Sequence, residues 1–298
     1  MAADNLRGII LMVMSMALFG LEDMFLKWAA AELPIGQIVF VAGAFGMPVF
    51  ALMAWRQGQR IVTHEAWHPA VIARNLGEMM GTFAYITALA TVPLSTVSAV
   101  LQAMPLAVTM AAALFLQEQV GWRRWSAISA GFAGVLLVIR PGMEGFRPEA
   151  LWVLLAVAGL TLRDLATRKI PAQYTTGQVS AWGLGAVTLL GAMMIATTGD
   201  VVMPNFWQAS TLLGALIFGT AGYWTIVGAA RTGEVSVVAP FRYVRLVFAV
   251  LIGALVFAEW PDVITLCGST LIVASGLYSF AREHALKRRA LSMGPSAG

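Results

Sequence analysis

Residues 93–115 read PLSTVSAVLQAMPLAVTMAAALF, a run of 23 residues without a single charged side chain. A helix needs about 20 mostly apolar residues to cross the ~30 Å hydrocarbon core of a bilayer. The chain holds nine further runs of this kind, and 59% of its residues are hydrophobic against 11% charged. The sequence therefore predicts an all-α integral membrane protein with ten transmembrane helices, at about 8–29, 35–55, 69–90, 93–115, 121–140, 149–169, 177–198, 206–230, 235–257 and 261–282.

The positive charges between these spans indicate their orientation, because cytoplasmic loops carry an excess of Lys and Arg. With a cytoplasmic N-terminus, the inner segments hold twelve Lys and Arg residues and the outer loops hold two, Arg140 and Arg147. We therefore expect both termini in the cytoplasm and a multi-pass protein of the cell inner membrane. Residues 286–298 are expected to form a flexible basic cytoplasmic tail, whose charge suits anionic lipid.

The two halves of the chain repeat each other at a fixed offset. Adding 141 to a residue number returns a like residue at many positions, among them Asp23 and Asp164, Lys27 and Arg168, Gly36-Gln37 and Gly177-Gln178, Gly81 and Gly222, and Glu118 and Glu259. Each repeat holds five spans, and an odd number makes the second repeat enter the membrane from the opposite side. The sequence therefore predicts two inverted five-helix repeats, 1–146 and 147–285, a design typical of secondary transporters with a substrate site between the halves.

Long stretches of both halves also resemble the drug/metabolite transporter superfamily, in particular its EamA-type members. They are ALATVPLSTVSAVLQAMPLAVTMAAALFLQEQVGWRRW at 88–125, GFAGVLLVIRP at 131–141, GEVSVVAPFRYVRLVFAVLIGALVFAEWPD at 233–262 and GSTLIVASGLY at 268–278. The resemblance implies a ten-helix bundle with a central cavity and transport of organic metabolites, in many members as export. We therefore expect export of an amino acid or related carboxylated compound by alternating access. Uptake or exchange of a vitamin-like or nucleoside-like compound is the alternative, and a channel is a third possibility.

Two arginines within the ninth span are the main candidates for binding substrate. Arg242 and Arg245 correspond to Leu101 and Met104 in the first half, so they break the repeat symmetry, as a substrate does. A guanidinium can bind a carboxylate through two parallel hydrogen bonds. The alternative is that both arginines pair with Glu22 and Glu78 as buried structure. The other predicted substrate-binding residues are polar or aromatic residues within spans, which suit an organic ligand: Tyr243, Gln102, Tyr85, Tyr223 and Trp182.

Further charges within the spans are candidates for coupling or gating, since a charge in the bilayer centre costs roughly 2.5–3.5 kcal/mol. Asp23 and Lys27 are four residues apart, as are Asp164 and Arg168. Such spacing allows a structural ion pair on one helix, and the repeat also allows a pair of matched gates. Glu78 and, with a weaker claim, Glu22 are candidates to carry a coupling proton. For Glu78 the alternative is a structural pair with Arg74.

One short motif points to a different class of protein. Residues His64-Glu65-Ala66-Trp67-His68 spell H-E-x-x-H, which on a helix can hold zinc and a general base. Here the motif lies in a loop and Pro69 follows at once. We therefore keep a membrane metalloprotease only as an alternative, and expect no enzyme activity, no metal and no cofactor. The expected partners are a small-molecule substrate, membrane lipid and a coupling proton, with no nucleic acid, in a monomer or weak homodimer.

Overall fold

The computed structural model describes residues 2–142, 146–171, 173–232 and 234–292. Over these residues the chain forms twelve α-helices with short connections. They are α1 (Ala2–Glu32), α2 (Ile35–Arg56), α3 (Pro69–Thr91), α4 (Leu94–Leu101), α5 (Met104–Phe115), α6 (Trp122–Ile139), α7 (Leu151–Thr167), α8 (Thr176–Thr198), α9 (Phe206–Thr232), α10 (Val235–Val238), α11 (Val244–Val256) and α12 (Val263–Ser292). Short 3-10 segments lie at His64–Trp67, Pro148–Ala150 and Ala239–Tyr243.

Eight helical stretches of the described residues are long and apolar enough to cross a membrane. Two of them are interrupted, because α4 and α5 together form the stretch Leu94–Phe115, and the 3-10 segment with α11 forms Ala239–Val256. Two predicted spans, α3 and α6, do not reach this standard. Charged residues lower their hydropathy: Arg74 and Glu78 lie in α3, and Arg123 and Arg124 begin α6. The protein is therefore a multi-pass, all-helical membrane protein.

Prolines account for the two interrupted stretches. Pro105 lies in the first turn of α5 and has no N–H to donate to the carbonyl of Leu101, so the helix breaks between α4 and α5. Pro240 has the same effect at the junction of α10 and the 3-10 segment. Both breaks lie at the depth of the cavity described below, where irregular backbone is tolerated because it faces a cavity rather than lipid.

The helices pack in four main pairs: α2 with α8, α1 with α9, α3 with α7, and α6 with α12. Glycines allow close approach within these pairs. A Cβ added to Gly159 of α7 would lie 2.5 Å from the backbone nitrogen of Gly81 in α3. One added to Gly43 of α2 would lie 2.5 Å from the backbone nitrogen of Thr188 in α8. Close glycine contacts thus join the first half of the chain to the second.

Polar contacts define two ends of the bundle. The end at which α1 finishes, called here the Lys27 end, carries the ion pairs Lys27–Glu259 and Arg140–Asp262. The opposite end, called the Arg168 end, carries Arg168–Glu118 and a hydrogen bond from the Glu234 amide to the Asn5 side chain.

The C-terminal helix is longer than the sequence predicts. Helix α12 continues to Ser292, into the stretch 286–298 expected to be a flexible tail. The segment HALKRRAL at 284–291 consists mainly of strong helix formers, which explains why the helix extends beyond the apolar run. Residues 293–298 lie outside the described residues.

Candidate functional site

A cavity of about 870 Å³ occupies the middle of the bundle and continues toward the Arg168 end. Tyr85, Ser98 and Arg245 line its inner part, and Arg168, Pro171 and Tyr174 line its outer part. Small-molecule sites usually measure roughly 300–1,000 Å³, so the cavity can hold an organic metabolite. Its walls come from both halves of the chain, which places it where the repeat argument predicts a substrate site.

Most of the predicted substrate-binding residues lie on this cavity. Six of the seven line it: Arg242, Arg245, Tyr243, Gln102, Tyr85 and Tyr223. Of the predicted coupling or gating residues, Asp164 and Arg168 line it as well. Among the described residues, the lining does not include Trp182, Glu22, Glu78, Asp23 or Lys27. The structure therefore divides the predicted site residues into those that line the cavity and those that lie behind its lining.

Arg245 is held by an ion pair at the inner end of the cavity. Its guanidinium donates to both carboxylate oxygens of Asp23, at 2.8 and 2.9 Å, and to the Tyr85 hydroxyl at 3.0 Å. The Tyr85 hydroxyl donates in turn to Asp23, and the Phe19 ring lies 5.4 Å from the guanidinium. Asp23 is fully buried. The predicted structural pairing of Asp23 with Lys27 is therefore wrong: the partner of Asp23 is Arg245.

A second network joins α3 to α7 beside the cavity. Glu78 accepts from Arg74 at 2.8 Å and from Arg163 at 3.4 Å, and Arg163 also bonds Asp164 at 2.8 Å. The structural pair predicted for Arg74 and Glu78 is thus present, whereas Asp164 bonds its neighbour Arg163 rather than Arg168. Sequence reasoning did not select Arg163 as a site residue. The sequence does contain a pattern that could have identified it: Arg163 is the repeat counterpart of Glu22, so the charge at this position has opposite signs in the two halves.

Arg242 differs from the other cavity arginines because it lacks a carboxylate partner. Five arginines line the cavity, and four of them form an ion pair: Arg74, Arg163, Arg168 and Arg245. Over the part of the chain that the structure describes, the Arg242 guanidinium has neither an ion pair nor a hydrogen bond. Its side chain is exposed to the cavity, and its carbonyl accepts from the Gln102 amide at 3.2 Å. Among the described residues, Arg242 is therefore the cavity arginine without a direct ion pair, and Asp164 on the same lining attracts it from a greater distance.

Two ion pairs lie at opposite ends of the bundle and differ in burial. At the Lys27 end, the ammonium of Lys27 lies 2.9 Å from Glu259, with side chains 12% and 23% exposed. At the Arg168 end, Arg168 lies 3.0 Å from Glu118, with side chains 48% and 49% exposed. The predicted pairing of Asp164 with Arg168 is therefore wrong as well. The bundle is closed over the first pair and open around the second.

Trp182 and Glu22 lie behind the cavity lining and pack against neighbouring segments. The Trp182 indole N–H donates to the Ile61 carbonyl at 2.7 Å, and its ring packs edge-on against Tyr174. This anchors the α2–α3 connection on α8 and keeps the ring out of the cavity. The Glu22 carboxylate lies against Gly219 of α9, 2.5 Å from where a Cβ would stand. A residue larger than glycine would displace it.

The H-E-x-x-H residues are arranged differently from those of a helical zinc site. Residues His64–Trp67 form a 3-10 turn, and the His68 ring accepts a hydrogen bond from the Ala70 amide at 3.2 Å, which caps α3. Hydrogen bonds from its own backbone N–H and from Thr63 hold the pKa of Glu65 below its usual range, the opposite of what a general base requires. Among the described residues, no group of three or more His, Cys, Asp or Glu side chains could hold a metal ion.

Comparison with known proteins agrees with this architecture. The EamA-like transporter family matches the chain twice, over residues 6–140 and 147–280. Similar proteins include an S-adenosylmethionine uptake transporter of Rickettsia felis, 24% identical over 95% of this chain and 96% of the relative. A riboflavin transporter of Rhizobium johnstonii is 26% identical over 95% and 93%. A pseudopaline exporter of Pseudomonas aeruginosa is 25% identical over 92% and 96%.

A solved crystal structure shares the fold, with a TM-score of 0.60 and 19% identity, and covers 94% of this chain and 98% of the other. The two family matches together cover most of the chain, and the relatives are full-length matches that bear the names of small-molecule transporters. The resemblance predicted from the repeated stretches is thereby confirmed. The chain belongs to the EamA-like transporter family.

Proposed function

We propose that this protein is a secondary transporter that carries a small organic metabolite across the cell inner membrane by alternating access. The observation that carries the proposal is the central cavity, which both halves of the chain line. Among the described residues its lining includes Arg168 and includes neither Lys27 nor Glu259. A transporter must seal one side of its substrate site while the other side is open. This protein has a sealed side at Lys27 and Glu259.

The two halves are proposed to be inverted repeats of five spans each, 1–146 and 147–285, with ten spans in all. The double family match supports this division. The packing supports it too, because the repeat operation exchanges the pair α1–α9 with the pair α7–α3, and returns α2–α8 and α6–α12 to themselves. On this proposal α3 and α6 cross the membrane with their charged residues facing protein, cavity or the interface.

A repeated glutamine contact supports the same operation. Gln37 donates to the Val202 carbonyl at 2.8 Å and accepts from the Val202 amide at 3.0 Å. Its counterpart Gln178 donates to the Arg60 carbonyl at 2.7 Å. Each glutamine thus fastens the loop of the other half, one at each end of the bundle. With the positive-inside rule, the Arg168 end and both termini lie in the cytoplasm, so the cavity opens inward.

The proposed substrate is an amino acid or a related carboxylated compound. Arg242 supports this, since an unpaired guanidinium in a cavity is suited to bind a carboxylate. Gln102, Tyr85, Tyr223 and Tyr243 supply hydrogen-bonding groups and aromatic surface around it. A similar transporter named for S-adenosylmethionine supports a substrate with an amino acid moiety, and one named for riboflavin supports the vitamin alternative.

Export is the proposed direction, in keeping with the inward-facing cavity and with the similar protein named as an exporter. Uptake or exchange remains the alternative, because relatives named for uptake are equally similar. Glu22 is proposed as a coupling residue, because in the part of the chain described it has no ion pair or hydrogen bond. Glu78 is shared by two arginines, so its proposed role shifts from proton carrier to structural support of the cavity wall.

The test is transport in proteoliposomes loaded with a panel of labelled amino acids and other carboxylated metabolites, with and without a pH gradient. We expect saturable efflux of one class, and a loss of roughly tenfold or more for Arg242→Gln, because a buried charge pair with the substrate would be lost. Arg147→Gln, on an exposed connection, is the control and should transport normally.

Each other result has a definite meaning. Efflux by Arg242→Gln at the wild-type rate would show that Arg242 does not bind the carboxylate of the substrate. Currents that do not saturate would indicate a channel in place of a transporter. Efflux of vitamins or nucleosides, with none of the carboxylated compounds, would move the alternative substrate class to first place.

A further inference from the structure

We infer that Lys27–Glu259 and Arg168–Glu118 are two copies of one latch, and that the two latches close opposite ends of the cavity in turn. This rests on the proposed alternating-access function and names the residues that carry out the alternation. The inference comes from three observations: the positions of the four residues in the repeat, the contacts of each pair, and the difference in their burial.

The four residues are equivalent in sequence. The offset of 141 relates Lys27 to Arg168 and Glu118 to Glu259. Each latch takes its cation from the first span of one half and its carboxylate from the connection that follows the fourth span of the other half. Both ion pairs therefore join the two halves, and the repeat operation converts one latch into the other.

The latch at the Lys27 end binds three elements together. Lys27 of α1 bonds Glu259, which follows α11, and also donates to the Val92 carbonyl at 2.8 Å. Glu259 accepts from the Leu94 amide at 2.9 Å. The carbonyl belongs to the α3–α4 connection and the amide to the first residue of α4. One ammonium and one carboxylate thus hold α1, the start of α4 and the segment after α11 together. Their low exposure shows that water has been largely excluded.

The latch at the Arg168 end contains the same pair in an open setting. Arg168 and Glu118 keep a 3.0 Å contact, but both side chains are about half exposed, and Arg168 lines the mouth of the cavity. An exposed ion pair contributes little because water screens it. A largely buried pair is far more costly to break, because separation or loss of one partner leaves a buried charge uncompensated. The two latches thus show the engaged and the disengaged form of one device.

The alternation follows from this difference. When the cavity opens toward the Lys27 end, we expect Lys27 and Glu259 to become hydrated and Arg168 and Glu118 to become buried. By the repeat operation, Glu118 would then accept from the amide of Val235, the counterpart of Leu94. Each state buries one latch and exposes the other to water, so the two states stay close enough in free energy for both to be populated.

The experiment measures access to the cavity without any need for substrate. A single cysteine replaces Ser98, which lines the inner cavity, in a chain whose only native cysteine is removed by Cys267→Ser. A membrane-impermeant maleimide is applied to oriented vesicles from each side in turn. We expect Lys27→Gln to raise the labelling rate from the Lys27 end severalfold, and Arg168→Gln to lower it.

Two further variants separate the latch from general damage to the fold. Arg140→Gln breaks the ion pair between Arg140 and Asp262 at the same end. This pair has no repeat counterpart, because the offset of 141 relates Asp262 to Gly121, which has no carboxylate. It should leave labelling unchanged. The exchange Lys27→Glu with Glu259→Lys restores the ion pair but not the bonds to the Val92 carbonyl and the Leu94 amide, so it should return labelling part of the way from the rate of Lys27→Glu alone toward the wild-type rate. Gel filtration and melting temperature verify that each variant is folded.

The outcomes distinguish the latch from the proposed function. Opposite shifts for Lys27→Gln and Arg168→Gln support the latches even if no panel compound is transported. Unchanged labelling in both variants, or shifts in the same direction, would overturn them, even if saturable transport has been found. A shift in Arg140→Gln equal to that in Lys27→Gln would also overturn them, because any ion pair at that end would then act alike.

Discussion

Arg242 and Arg245 lie three residues apart, yet their side chains have different surroundings in the structure. Arg245 completes a buried pair with Asp23 and Tyr85, whereas Arg242 extends into the cavity without a carboxylate partner among the described residues. The sequence grouped the two as one anion site. The difference could not be read from it, because the partner of Arg245 lies on α1, 222 positions away in the chain.

Replacing Arg245 with glutamine should therefore damage the fold rather than the choice of substrate. Arg245→Gln leaves the Asp23 carboxylate buried without its cation, which costs about 3–5 kcal/mol. We expect a clear fall in the melting temperature of the detergent-solubilised protein. The double variant Asp23→Asn with Arg245→Gln should recover much of the loss, because the uncompensated charge is removed.

Arg242→Gln is the matched control for this prediction, and it should melt close to wild type. If Arg245→Gln also melts like wild type, the pair with Asp23 does not stabilise the protein. Spacing of four residues misled the sequence prediction here: Asp23 and Lys27 can face each other on α1, but Asp23 pairs with Arg245 of α11 and Lys27 with Glu259 in the connection after α11. Local geometry is visible in a sequence, and competition from distant groups is not.

Helices α3 and α7 meet through glycine, and this contact sets their separation. A Cβ on Gly159 would lie 2.5 Å from the Gly81 nitrogen, and backbone atoms cannot move aside as a flexible side chain can. Gly159→Ala should therefore push the helices apart and cost roughly 1–3 kcal/mol. The same contact supports the Arg74–Glu78–Arg163 network beside the cavity, so a fall in transport rate should accompany the fall in melting temperature.

Gly185→Ala provides the comparison, because nothing lies within 4 Å of a Cβ at that position of α8. It should keep the wild-type melting temperature or raise it slightly, since alanine favours a helix over glycine. Equal effects of the two substitutions would show that the α3–α7 contact is not sensitive to volume. Measurement of melting temperature and efflux rate on the same preparations settles the comparison.

Most helices follow the apolar runs that the sequence displays, within a few residues at each boundary. The interruptions at Pro105 and Pro240 were visible as prolines, but the 3-10 segment at Ala239–Tyr243 was not, since proline chemistry alone does not fix how a helix resumes. The polar character of α3 and α6 was also present in the sequence. It is carried by Arg74, Glu78, Arg123 and Arg124, and the ten spans stay a prediction.

Inversion of the two halves predicts that equivalent positions face opposite sides of the membrane. Glu65, in the α2–α3 connection, and Phe206, the first residue of α9, are related by the offset of 141. Both are exposed, Phe206 at 91%. In a Cys267→Ser background, cysteine at Glu65 should react with an impermeant maleimide from the cytoplasm only, and cysteine at Phe206 from the outside only. Labelling of both from the same side would show that the repeats are parallel.

The sequence could predict two alternating states but not which of them the chain adopts here. Both states arise from the same repeated pattern, so the repeat by itself favours neither state. Asymmetric positions decide the balance, and they include Glu22 opposite Arg163, Tyr85 opposite Ile226, and Met104 opposite Arg245. Their combined effect depends on burial and water access over the whole bundle. A list of the positions at which the two repeats differ does not give either quantity.

The polar composition of α3 also constrains the order in which the chain enters the membrane during synthesis. Its charged face and its glycine face are covered by α7, which leaves the ribosome only after α4, α5 and α6. Each charge near the middle of a span opposes release into lipid by the insertion machinery. We therefore expect the nascent first half to stay in a protein-lined, hydrated environment until the start of the second half has been synthesised.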